Sequence, residues 1–320
     1  MTAVASDADG RVVTATSRTG RAGRLAEGWR RYWFEPMPPE RLDVFARIIA
    51  CTVAFSTFVM DRWAVLHEDA PDSFYRPLQV ARFLHLPPPT PTTMALVQVA
   101  IAIACVWAFM RRAPRAANAV LFAAYGTWLL WAFGWSKVDH DKLTIMVALG
   151  VLALSPRLRN MESATESARA LAQRWTGWAI RVVQVTFVLA YPFSAYAKLR
   201  FGGLDWMGSA TFARAIVRRG STLGDWLIPH PTVLVVAQWA FILFEVAAIV
   251  LLFPRLPKAV RNAALVAVLM LHVMTYAMIG ISFLPHTICL TAFLPLERIS
   301  RAYRARIDAR PDQALLSSGR

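Results

Sequence analysis

Acidic residues are scarce in this chain, and so are the motifs of soluble catalysis. Twenty Asp and Glu stand against 35 Lys and Arg, a formal net charge of +15 over 320 residues. Only three cysteines occur, Cys51, Cys105 and Cys289, each inside an apolar stretch, with no CxxC and no paired spacing. That excludes a disulfide framework and reads them as packing residues. No Gly-rich phosphate loop, GxSxG elbow, internal repeat or heptad pattern is present. No helix offers two histidines at i, i+4 and the carboxylates are scattered, so no metal site is expected. The opening "MTAVASDADGRVVTATSRTGRAGRL" lacks the apolar core of a secretory signal and reads as a disordered basic tail over residues 1–28.

Apolar residues, by contrast, are abundant: 57% of the chain is hydrophobic, 17% is charged, and mean hydropathy is +0.42. A soluble protein of this length has too little interior to hide that much apolar side chain. The apolar residues fall into eight segments, at 42–60, 93–110, 118–134, 142–156, 179–199, 232–253, 260–279 and 281–297. Most approach the length of about 20 residues that a bilayer-crossing helix needs. The fourth and eighth are short, and the eighth carries Pro285, so it either crosses or turns back as a half-span. The sequence therefore predicts an all-α, polytopic helical bundle of about eight transmembrane helices, with a membrane domain over 29–300 and a basic tail over 301–320.

Loop charge supplies the orientation. With the N-terminus placed inside, 24 of the 35 Lys and Arg fall on the inner side and 10 on the outer side, with Arg47 inside the first helix. Every inner loop is basic, so both termini are expected in the cytoplasm, in agreement with the positive-inside rule. The same placement explains the net charge without nucleic acid as a partner. Two longer outer loops, 61–92 and 200–231, are long enough to fold over the outer mouth of the bundle.

Few ionisable side chains lie at membrane depth, where a central charge costs roughly 2.5 kcal/mol or more. Arg47, near the inner end of the first helix, can snorkel to the surface. His140, in "WSKVDHDKL", opens the fourth helix, where Asp139 or Asp141 can cap free amides and the helix's positive end opposes an imidazolium. Lys198 closes the fifth helix; it reads either as an interfacial anchor or, if buried, as a proton acceptor. Pro192, one and a half turns earlier, can kink that helix. Glu245, in "FILFEVAAIV", sits in mid-membrane with no cation visible at its depth, as a neutral hydrogen-bonder or a proton relay. His272 lies near the middle of the seventh helix and His286 a few residues into the eighth. Chain direction puts His140, Lys198 and His286 in the outer half of the membrane, with His272 near its middle.

Three stretches, "WSKVDHDKL", "YPFSAYAKLRFGGLDW" and "LHVMTYAMIGISFLP", resemble in order and spacing three motifs of the horizontally transferred transmembrane (HTTM) domain. The opening "WFEPMPPERLDVFARI" resembles that family's approach to its first helix, and the resemblance covers roughly 29–300. The family includes the membrane part of vitamin K-dependent γ-glutamyl carboxylase. The resemblance implies a reduced quinone as cofactor, vitamin K hydroquinone-like, with O2 and CO2. It gives Lys198 the role of initiating base and His140 and His272 supporting roles, on the outward side. The chain departs from the carboxylase by ending soon after its last helix, without an extra-membrane substrate domain, and by "AK" where two lysines often stand.

Together these readings predict a multi-pass protein of a bacterial cytoplasmic membrane. Its catalytic candidates are Lys198, His140 and His272, with Glu245 and His286 as further embedded polar groups. Its partners are the lipid bilayer, a quinone and a secreted peptide or protein substrate, and its chemistry is carboxylase-like or oxidising. Two other functions stand beside this one: a non-enzymatic role in maturation, export or immunity of a secreted peptide, and proton-coupled transport through Glu245 and His272.

Overall fold

The computed structural model describes residues 4–6, 12–14, 21–60, 67, 70–111, 113–135, 138–155 and 164–308. A short antiparallel pair, β1 (Val4–Ser6) and β2 (Val12–Thr14), sets Ala5 opposite Val13. Every other regular element among the described residues is helical.

Helix α1 (Arg21–Trp33) precedes α2 (Pro39–Phe55), which continues as a π-turn to Met60. The short α3 (Gln79–Phe83) leads to α4 (Pro91–Phe109), α5 (Pro114–Trp135) and α6 (Leu143–Leu154). Next comes α7 (Glu166–Gly202), whose 37 residues make it the longest helix. Three short helices follow: α8 (Asp205–Gly208), α9 (Thr211–Arg219) and α10 (Thr222–Leu227). The chain then crosses back through α11 (Pro231–Ala247), extended by a 3-10 stretch to Leu252, and α12 (Lys258–Ile279). It finishes with α13 (Leu284–Thr287), a 3-10 stretch Ile288–Phe293, and α14 (Glu297–Asp308).

Local chemistry explains the boundaries. Helices α2, α4, α5 and α11 open with proline, whose missing N–H costs nothing at a first turn. Thr90 and Thr93 form a capping box on α4, and Thr165 caps α7 through the Ala168 amide. Gly280 closes α12 in the left-handed conformation, φ 62°. Pro192 does not break α7, which runs on for ten residues beyond it.

Among the described residues six helices are long and apolar enough to cross a membrane: Pro39–Met60, Pro91–Phe109, Pro114–Trp135, Glu166–Gly202, Pro231–Leu252 and Lys258–Ile279. The chain is thus a multi-pass membrane protein in a lipid bilayer. The fourth and eighth apolar segments are shorter: α6 has 12 residues and the eighth spans only Leu284–Phe293. The stretch 1–28, expected as a disordered tail, is helical from Arg21, because Leu25, Trp29 and Trp33 recur at i, i+4, i+8. At the other end, α14 carries the basic segment in helical form to Asp308, and 309–320 lie outside the described residues.

Packing follows membrane rules. Where helices touch, small residues let backbones close in: Ala46, Ala104, Ala117, Ala148 and Ala179 are all fully buried. Trp128, Tyr125, Phe45 and Phe187 fill the space between α2, α5 and α7. Large apolar side chains such as Val99 and Ile103 on α4, Leu243 on α11 and Val266 on α12 point outward, which a lipid solvent favours. Gly177 on α7 lies so close to the Glu35 carbonyl that a Cβ would collide with it.

Ion pairs lace one end of the bundle. Arg41 grips Glu297 through two bonds, 2.8 and 3.0 Å, holding that carboxyl below its usual range. Arg111 meets Asp43 at 2.7 Å, and Arg181 meets Glu35 at 3.0 Å and Gln184 at 2.9 Å. Arg47 is exposed at this end and reaches the Phe109 carbonyl. The opposite end holds the candidate site.

Candidate functional site

One stripe of α7 builds the centre. Phe187, Tyr191, Ser194 and Lys198 recur at i, i+4, i+7, i+11 and therefore share a face. On α11, Leu234, Gln238, Ile242 and Glu245 are the buried positions, again at helical spacing. The two stripes meet. The Lys198 Nζ donates to both Glu245 oxygens, at 2.7 and 2.9 Å, and to Ser194 Oγ. The Lys198 side chain keeps 22% of its surface accessible and that of Glu245 only 4%. The ammonium also lies 5.0 Å from the Phe241 ring centre and 5.7 Å from that of Trp206.

Glu245 is thus not a lone mid-membrane carboxyl, as expected, but half of a buried ion pair. The reason is a depth offset. Lys198 stands four residues before the end of α7, about 6 Å, whereas Glu245 is fourteen residues into α11, about 21 Å at 1.5 Å per residue. They meet because antiparallel α7 stops short of where α11 begins. Helices α8 and α9 fill the space beside the first half of α11.

Gln238 fixes that filling. Fully buried, it accepts from the Phe212 amide at 2.6 Å and donates to the carbonyls of Met207 at 2.9 Å and Ser209 at 2.8 Å. The same loop is held to α12 where Ser221 Oγ donates to the Met278 carbonyl at 2.7 Å. The 200–231 segment therefore covers this end of the bundle, packed against α11 and α12.

Two histidines join the cluster from elements far apart in sequence. The Tyr191 hydroxyl and His272 Nε2, on α12, are 2.7 Å apart. The His286 ring, on α13, stacks on Phe187 with centres 4.4 Å apart and planes within 9°. Thr144 Oγ1 lies 3.0 Å from His286 Nδ1, which fixes that ring from a second side. His272 and His286 are 5.6 Å apart between ring centres. His140, at the exposed rim, reaches Phe283, which in turn packs on His272. Asp139 forms no side-chain cap on the turn that opens α6; instead Asp141 and Lys142 are both buried there.

The structure therefore brings Lys198, Glu245, His272 and His286 into one cluster, with Glu245 and His286 buried and Lys198 and His272 half-buried, and sets His140 at its edge. Sequence reasoning missed Tyr191, Ser194, Thr144 and Gln238. Tyr191 and Ser194 were within reach, since they share the α7 face with Lys198; Thr144 and Gln238 carried no comparable signal. Chemically, the cluster offers a carboxylate–ammonium couple beside a hydrogen-bonded phenol–imidazole pair, walled by aromatic rings. It can hold or move a proton between paired groups away from bulk water. Compared with family models, curated proteins and solved structures, the chain matches none.

Proposed function

We propose that the chain is an HTTM-type protein of a bacterial cytoplasmic membrane, with eight spans, both termini cytoplasmic and its polar cluster opening outward. In this reading it is a quinol-dependent enzyme, carboxylase-like or oxidising, with O2 and CO2 as co-substrates. The observation that carries the reading is the Lys198–Glu245 pair within reach of aromatic rings, on the same helix face as the Tyr191–His272 couple.

The residues suit a flat aromatic diol. Phe241 and Trp206 give ring surfaces beside the amine, Ser194 and Glu245 anchor it, and a lipid-facing bundle suits an apolar tail. A reduced quinone, when bound, supplies an acidic hydroxyl and two electrons. Lys198 starts the chemistry by passing a proton to Glu245, which turns a buried ion pair into a neutral amine beside a neutral acid. With a quinol bound beside it, the neutral Lys198 amine would be placed to accept the proton of its hydroxyl and, as the ammonium, to face the charge left on the oxygen. Tyr191 and His272 provide a second hydrogen-bonded pair between which a proton can move, and His140 stands at the rim across the Phe283 ring. The Gln238-pinned cover keeps water away.

The test is quinol-dependent oxygen uptake by protein in bilayer nanodiscs. Lys198→Met is expected to lower the rate by at least about a hundredfold, and Glu245→Gln comparably, as for loss of a general base. Wild-type rates in Lys198→Met protein that stays folded would defeat the proposal. The same pair also suits proton-coupled transport, because Glu245 and Lys198 can exchange a proton within the membrane; loss of proton-coupled uptake in Glu245→Gln, without any quinol activity in the wild type, selects that reading.

A further inference from the structure

The arginine-laced end, opposite the Lys198 cluster, carries a groove of about 1380 Å³ between α1, the start of α7 and the turn after α11. Its lining includes five arginines and two glutamates. Both carboxylates are already engaged, Glu35 with Arg181 at 3.0 Å and Glu27 with Arg31 at 3.0 Å. Arg30, Arg174 and Arg255 approach from three separate elements and are exposed. Between them lie apolar surfaces, Leu171 at 57% exposure and Phe253 at 63%, with Trp175 beside them.

Position decides what such a groove meets. Phe253 directly follows the candidate span Pro231–Leu252, and Glu35 and Pro36 stand just ahead of the span Pro39–Met60. The groove therefore sits where hydrocarbon gives way to headgroups. Helix α1 suits the same level, for Leu25 and Trp29 are exposed on one side while arginines occupy the other. Guanidiniums bind phosphate with paired N–H groups, and apolar walls at their feet suit acyl chains.

We propose that this groove is a binding site for an anionic glycerophospholipid of the adjoining leaflet. Arg30, Arg174 and Arg255 hold the headgroup phosphate, while Leu171, Trp175 and Phe253 receive the upper acyl chains. The bound lipid then ties α1 to α7 and to the α11–α12 turn. The site is independent of the chemistry at Lys198.

The experiment titrates delipidated full-length protein in detergent with phosphatidylglycerol, phosphatidylcholine or inorganic phosphate, reading bound lipid by native mass spectrometry and thermal stability in parallel. The wild type is expected to prefer phosphatidylglycerol by at least about tenfold, a preference that shrinks as salt rises to about 0.5 M. The triple variant R30Q/R174Q/R255Q is expected to lose the preference, and R30K/R174K/R255K to keep part of it, since the charge remains while the paired N–H geometry is lost. Equal binding of the two lipids by the wild type would overturn the proposal. So would an unchanged preference in the glutamine triple, or in the lysine triple a loss as complete as with glutamine. Full stabilisation by millimolar phosphate, with displacement of the lipid, would identify a free-anion site and overturn the lipid assignment.

Discussion

Breaking the Lys198–Glu245 pair from either side is expected to give unequal losses that largely cancel when both partners are removed. Loss of one member of a buried pair usually costs about 3–5 kcal/mol, mainly because the other charge is left behind. Here the two sides differ. The Glu245 side chain is 4% accessible, so Lys198→Met strands a carboxylate that water cannot reach, and about 3 kcal/mol is expected before protonation caps the penalty. The Lys198 side chain retains 22% accessibility and aromatic neighbours, so Glu245→Gln strands a partly solvated ammonium at about 2 kcal/mol. In the double variant no charge remains, and stability is expected to return to within about 1 kcal/mol of wild type. The coupling is then about 4–5 kcal/mol, far above the 0.5 kcal/mol or so within which independent sites add. Reversible unfolding in mixed micelles, followed by tryptophan fluorescence, measures all four corners of the cycle. Additivity within about 0.5 kcal/mol would refute the ion pair as the organising contact of the site.

Two further outcomes follow from contacts elsewhere. Gln238→Ala deprives the Phe212 amide and the Met207 and Ser209 carbonyls of their buried partner, so a cost of about 2–3 kcal/mol and faster amide exchange over 205–212 are expected; unchanged exchange there would mean the cover is held by something else. Glu297 is held below its ordinary value chiefly by its hydrogen bond from Arg41, so its contribution is fully present above the unfolded value of about 4.3 and fades as pH falls through the lower folded value; Glu297→Gln should flatten that acid limb of stability, and an identical limb in the variant would contradict the assignment.

Much of the architecture is written along the chain. Hydropathy alone marks α2, α4, α5, α7, α11 and α12, because a helix that meets lipid must be apolar over a bilayer's length whatever its neighbours do. The prolines that open four helices, the threonine caps and the glycine that closes α12 are equally local signals. Even the polar residues of the site announce themselves, since Lys198, Glu245, His272 and His286 are costly at membrane depth and stand out against an apolar background. Residues 21–28 read along the chain as the end of a disordered tail, because their charge outweighs the widely spaced Leu25, Trp29 and Trp33, whose common face emerges only once the segment is helical.

What composition and periodicity leave open is which of those polar groups meet. Counting residues along each helix sets Lys198 and Glu245 at different depths and makes a pair between them look out of reach. They touch because α7 ends low beside α11 and the short helices 205–227 occupy the space above it, pinned by Gln238. Likewise Tyr191 finds His272, and His286 finds Thr144, across 81 and 142 residues. The sequence thus determined that these residues need partners inside the membrane. The tertiary structure chose the partners, since relative helix depth and rotation depend on how all the helices pack together and not on any one of them.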